Sequence, residues 1–167
     1  MTLATLNSLD RAAFLSAIGW TFEHSPWVAE RAFSARPFAS LDALHSALTD
    51  AVDRASPGEQ LALLCAHPDL GARARMTAAS EGEQSSAGLD RLTPAEFDRL
   101  TRLNFAYREK FGFPFIYAVR GATPEQILAA LETRLARSPQ AERAEALGQV
   151  CRIARFRLES ILTCTDS

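Results

Sequence analysis

The chain has 167 residues, with 18 Lys+Arg against 20 Asp+Glu for a formal charge of −2, and 47% of its residues are hydrophobic and 23% charged. Both signs are interspersed, so no one-sided field draws in polyanions, and neither nucleic acid nor a membrane surface is an expected partner. This length fits a single domain burying roughly 70% of its unfolded surface, and no apolar run reaches the length of a membrane span.

The opening Met1-Thr2-Leu3-Ala4 lacks the charged-then-apolar pattern of a secretory leader, so the expectation is a cytoplasmic protein. Cys65, Cys151 and Cys164 are odd in number and widely spaced, which argues against a disulfide framework. Lys110 is the sole lysine, which leaves little room for Schiff-base chemistry.

Five of the eight prolines directly follow Ser or Thr, at Ser25-Pro26, Ser56-Pro57, Thr93-Pro94, Thr123-Pro124 and Ser138-Pro139. A hydroxyl cap satisfies an orphan amide and proline pre-sets φ at the first helical position, so each pair predicts a helix start. Glu96 completes a capping box after Thr93, and Gln126 permits another after Thr123. With caps near Asn7 or Ser8 and at Ser40, the predicted helices run over 8–19, 26–34, 41–55, 57–66, 94–111, 124–136 and 139–164. A shorter helix covers part of 78–88, within the loop-like stretch 71–90. Residues 113–119 have a strand-like composition, but one strand makes no sheet. The expected fold is an all-α, single-domain bundle of seven to eight helices.

Polar groups on apolar faces mark positions that need a partner. His67 follows the apolar run 61–66 and precedes Pro68, which ends the helix. The negative end of a helix dipole favours a protonated imidazole, suited to a proton donor or to capping alone. His24 and His45 read as exposed and without a role. The segment 80–89 packs carboxylates, an amide and hydroxyls around glycine, as solvated loops do. Asn104 interrupts the stripe of Phe97, Leu100, Tyr107 and Phe111, and is expected to tie a loop to the helix. Gly112 ends that helix, and the apolar segment beyond it has main-chain groups outside any sheet that could grip a flat ligand. Arg157 projects into the apolar face of the last helix, where its charge needs a carboxylate or carbonyls from the protein or a ligand. Phe156 points outward on the same helix. Cys65-Ala66-His67 lacks metal-ligand spacing, and no nucleophile elbow is present, so metal and Ser-His-Asp chemistry are not expected.

Taken in order, His67-Pro68-Asp69-Leu70, Ser80 with Glu83-Gln84 and Ala87-Gly88-Leu89, Leu103-Asn104 through Tyr107 and Lys110-Phe111-Gly112-Phe113-Pro114-Phe115-Ile116, and Arg157-Leu158 form a pattern. That pattern resembles the 2-oxo-4-hydroxy-4-carboxy-5-ureidoimidazoline (OHCU) decarboxylase family across nearly the whole chain. The resemblance implies an all-α, homodimeric carboxy-lyase without metal or organic cofactor. It acts on OHCU in urate breakdown, forming (S)-allantoin.

It further implies that His67 is the catalytic acid/base and that Glu83 tunes it or holds the substrate hydroxyl. Pro68 would shape the pocket wall. Ser80 and Gln84 would bond the ligand, with Glu81 and Gly82 completing the same loop. The main chain of Phe115, Ile116, Tyr117, Ala118 and Val119 would read the ureido and ring amides, and Arg157 would meet a substrate carbonyl or carboxylate. Tyr117 and Ala118 stand where members of the family vary. The terminal Thr165-Asp166-Ser167 lacks the Ser-Lys-Leu type address, in keeping with a cytoplasmic enzyme. Two other readings are a non-catalytic interaction module, with Phe156 and Trp27 on its partner surface and Arg157 paired internally, and a related enzyme of another ureido or imidazoline acid.

Overall fold

Hydroxyl caps followed by proline set the helix starts in the computed structural model, which describes residues 1–71 and 78–162. Ser56, Thr93 and Thr123 each accept from the third helical amide, and Glu59, Glu96 and Gln126 accept from the amide of their own cap, giving three capping boxes. Among the described residues there are nine α-helices and no strand. Residues 72–77 of the loop-like stretch, the reach of the last helix to 164, Cys164 and the terminal Thr165-Asp166-Ser167 lie outside the described residues.

The chain divides into two compact units. The first holds Met1–Ala66 and the chain from Val150. It contains α1 (Leu3–Ser8), α2 (Arg11–Ile18), α3 (Trp27–Ala32), α4 (Leu41–Asp53), α5 (Pro57–Cys65) and the second part of α9 (Pro139–Ile161). The sequence predicts one helix over 8–19 capped at Asn7 or Ser8, but two form. Thr2 and Asp10 are the caps, accepting from the amides of Thr5 and Ala13, and Leu9 is extended between the helices. Asn7 instead bonds both the N–H and C=O of Phe38, each at 2.9 Å. Ser25 supplies no side-chain cap, and α3 starts at Trp27 before passing into a 3-10 turn over Phe33–Ala35. Leu6, Phe14, Ile18, Leu44, Leu48, Leu63, Ala154 and Leu158 are fully buried core residues of this unit.

The second unit, His67–Gln149, contains α6 (Ala78–Ser86), α7 (Pro94–Phe111), α8 (Pro124–Leu135) and the first part of α9. Its core gathers Leu100, Phe115, Ile127, Leu131 and Ala146 around Tyr107, whose ring meets Phe115 edge-on at 5.4 Å. Helix α7 stops at Gly112, which takes the left-handed φ of 78° that glycine tolerates best. Lys110 donates to the carbonyls of Leu135 at 2.7 Å and Arg137 at 3.1 Å, so the one lysine caps the end of α8.

Candidate active site

His67 is 6% exposed, just beyond the Ala66 cap of α5. The residues after it are stitched down one by one. Asp69 pairs with Arg108 at 3.0 Å, the Leu70 carbonyl accepts from Asn104 at 2.9 Å, and the Gly71 N–H donates to Gln84 Oε1 at 2.8 Å. Asn104 thus ties a loop to α7, as its place in the apolar stripe predicts. Gly71 has a φ of +71°, a conformation that favours glycine, and a Cβ there would lie 2.6 Å from Leu100 Cδ2 and displace that methyl.

The short helix expected over part of 78–88 forms as α6 and carries the expected ligand groups, with Glu81 in its first turn complementing the helix dipole. Helical spacing sorts the expected ligand groups. Ser80, Glu83 and Gln84, at i, i+3 and i+4, share a face on which Ser80 and Gln84 are buried and Glu83 is half-buried. Glu81 and Gly82 fall on the other side and are exposed, because 100° per residue turns them away.

Over 114–119 the chain is neither helical nor turned. Phe115, Ile116, Ala118 and Val119 are buried and Tyr117 is half-buried. Part of this main chain is already engaged, which narrows the expectation of open groups. The Ile116 carbonyl accepts from Arg134 Nη1 at 2.7 Å, the Ala118 N–H donates to Gln149 Oε1 at 2.8 Å, and the Val119 carbonyl takes the Ala122 N–H. Gln149 donates in turn to Glu145 at 2.9 Å. That bond, with Arg137 behind it, holds the Glu145 carboxyl below the usual range.

Sequence reasoning misses Arg134 and Glu142. Arg134 is 4% exposed and Glu142 is 0% exposed, and Glu142 accepts from Arg134 Nε at 2.7 Å and from the Tyr107 hydroxyl. Burial, and then the bond to Glu142, push the Tyr107 hydroxyl far above its ordinary pKa, so it is the donor. The signal was present: Ile127, Leu131 and Arg134 follow the i, i+4, i+7 spacing of one helix face.

In the first unit Arg157 is 3% exposed, and its Nη1 lies 3.0 Å from Glu23 Oε2 and 3.3 Å from the Thr21 carbonyl. The structure therefore supplies a carboxylate for the charge that interrupts the apolar face. Trp27 lies beneath Arg31, its ring centroid 4.5 Å away, and Phe156 is half-buried beside Arg152, so neither stands out as the expected partner surface. His45 is half-buried and donates to the Cys151 carbonyl at 2.9 Å, contrary to its expected exposure. Burial pushes the Cys151 thiol up to about 11, which keeps it from acting as a nucleophile. A cavity of about 590 Å³ in this unit is lined by Arg31, Asp50, Arg54 and Glu59 and includes none of the expected site residues.

Helices alone, buried polar side chains on their faces and a braced irregular segment define, among the described residues, an all-α protein. The chain belongs to the OHCU decarboxylase family, whose model matches residues 7–159. It is 52% identical over 158 residues to a 2-oxo-4-hydroxy-4-carboxy-5-ureidoimidazoline decarboxylase of Haloferax volcanii, covering 95% of this chain and 94% of that protein. A uric acid degradation bifunctional protein of a Bacillus species is 42% identical over 161 residues, covering 96% of this chain and 32% of that protein. A crystal structure of (S)-allantoin synthase superposes with a TM-score of 0.81 at 36% identity. It covers all of this chain, which spans 56% of that one.

Proposed function

We propose that this protein is a carboxy-lyase that converts OHCU to (S)-allantoin in urate breakdown. The observation that carries the reading is the family match over residues 7–159, with His67 buried in the segment where the family motif begins. In the reaction the bond to the carboxylate breaks as CO2 leaves, and the electron pair moves toward the neighbouring ring imine. The imine nitrogen takes up a proton, the hydroxyl on the carbon that lost CO2 gives up its own as that carbon becomes a carbonyl, and a proton delivered to one face of the neighbouring former imine carbon, which bears the ureido group, sets the S configuration. His67 delivers or relays that proton, and Glu83 orients the imidazole or holds the substrate hydroxyl.

Pro68 forms the wall beside the ring. Ser80 and Gln84 bond the ligand from α6, with Glu81 and Gly82 as the turn of helix that spaces Ser80 from Glu83. Main-chain groups of Phe115 to Val119 other than the Ile116 carbonyl, the Ala118 N–H and the Val119 carbonyl meet the planar amides, and Arg157, oriented by Glu23, meets a substrate carbonyl or carboxylate. The reading invokes no metal or organic cofactor. No helix among the described residues is long and apolar enough to cross a membrane. We place the enzyme in the cytoplasm as one decarboxylase domain over 1–167 that pairs as a homodimer, which light scattering after gel filtration tests.

The test of activity generates OHCU from urate in situ and follows optically active allantoin by circular dichroism with and without the protein. His67→Ala and His67→Asn should abolish the acceleration while keeping the helical signal. Activity retained in both removes His67 from the mechanism. An unaccelerated decay with the wild-type chain leaves the related-substrate reading in its place.

A further inference from the structure

The buried Arg134–Glu142 pair has no part in the roles assigned so far. Taking two charges out of water is costly, and apolar side chains could fill the same space, so the pair is best read through what its guanidinium holds. It holds the segment assigned to the substrate's amides. Arg134 donates to the Ile116 carbonyl at 2.7 Å and lies 4.6 Å from the centroid of the Phe115 ring. Glu142 fixes the guanidinium through a single oxygen, 2.7 Å from Nε and 2.5 Å from Nη2, and the Tyr107 hydroxyl donates to that same oxygen. Gln149 adds a second brace at the Ala118 N–H.

The braces at Ile116 and Ala118 therefore hold the main chain on both sides of Tyr117. The geometry points to Arg134, held by Glu142 and Tyr107, as a positioning residue for the decarboxylase. It fixes Phe115 and Ile116 so that the adjoining main chain is presented to the ureido and ring amides of the substrate. This inference rests on the decarboxylase reading above.

The experiment measures kcat and KM with OHCU generated in situ for the wild type, Arg134→Lys, Glu142→Gln and Tyr107→Phe, alongside each melting temperature. A displaced main-chain edge weakens ground-state and transition-state binding together, so KM should rise about tenfold in Arg134→Lys and about threefold in Tyr107→Phe, with kcat held. A purely structural role would lower the folded fraction, and with it the apparent kcat, while leaving KM unchanged. Tyr107→Phe removes one oxygen and keeps the ring among Phe111, Phe113 and Phe115, so it decides the matter if the other variants do not fold. Wild-type KM in the folded variants overturns the proposal alone. A wild-type chain without activity overturns the decarboxylase reading, and this proposal with it.

Discussion

Both units bury an arginine against a glutamate, and the two pairs are put to different use. In the first unit Arg157 meets Glu23 through Nη1 at 3.0 Å and reaches the Thr21 carbonyl at the end of a 3-10 turn. In the second, Glu142 gathers Arg134 and Tyr107 on one oxygen, and the guanidinium goes on to grip Ile116 and Phe115. The first pair secures a turn between helices, and the second secures a segment without regular structure. A buried ion pair is thus no marker of a site in itself; the main chain it holds gives it meaning.

The sharpest break in this comparison comes from removing each carboxylate. Glu142→Ala strands a guanidinium and a phenol out of water and should cost about 4–5 kcal/mol in urea unfolding, the upper end for a broken buried pair. Glu23→Ala takes the carboxylate from buried Arg157 and should cost about 3 kcal/mol. Equal losses would show that the phenol adds nothing to the second cluster. Gln149→Ala leaves the Ala118 amide without its acceptor and should cost about 1–3 kcal/mol. An unchanged midpoint would mean that water takes the place of the lost oxygen. For Arg157→Lys the readout is activity: an ammonium cannot reproduce the planar fork, so substrate affinity should fall more than stability. Near-normal affinity there would contradict its proposed contact with substrate.

The frame was largely legible because local chemistry dictates it. Three Ser/Thr-Pro pairs form capping boxes, α7 runs over the predicted 94–111, and Gly112 ends it in the left-handed conformation. Errors arose where two local signals competed. Asn7 and Ser8 resemble caps as much as Asp10 does, and the choice fell to a tertiary contact, the pair of hydrogen bonds that Asn7 exchanges with the Phe38 main chain. The short helix expected over part of 78–88 does form, as Ala78–Ser86, because burial of Ser80 and Gln84 on one face outweighs the preference of Ser and Gly for turns. Among the residues singled out from the sequence, Arg157 stood out because it interrupts a long apolar face. Arg134 lies in the last turn of α8, where a cation is ordinary on dipole grounds, and that ordinary explanation hid a buried one.

The smallest expected effects compare the two units through their capping boxes. The bond from Arg31, and then the Ser56 amide, bring Glu59 in the first unit from 4.5 down to about 2. In the second unit Glu96 is lowered by the Thr93 amide and then by its hydroxyl, without an arginine. A carboxyl whose pKa is depressed by folding contributes stability above its unfolded value and loses it as pH falls through the folded one. The melting temperature should therefore decline on the acid side, below about pH 4.5 and toward pH 2 for Glu59. Glu59→Gln should flatten this limb, and added salt should weaken the wild-type contribution of the exposed Arg31–Glu59 pair. Glu96→Gln should flatten the limb less and show little dependence on salt, since its bonds are to the cap itself. If both variants respond equally to salt, the arginine is not what separates the two boxes, and hydrogen bonding to the cap accounts for both depressed carboxyls.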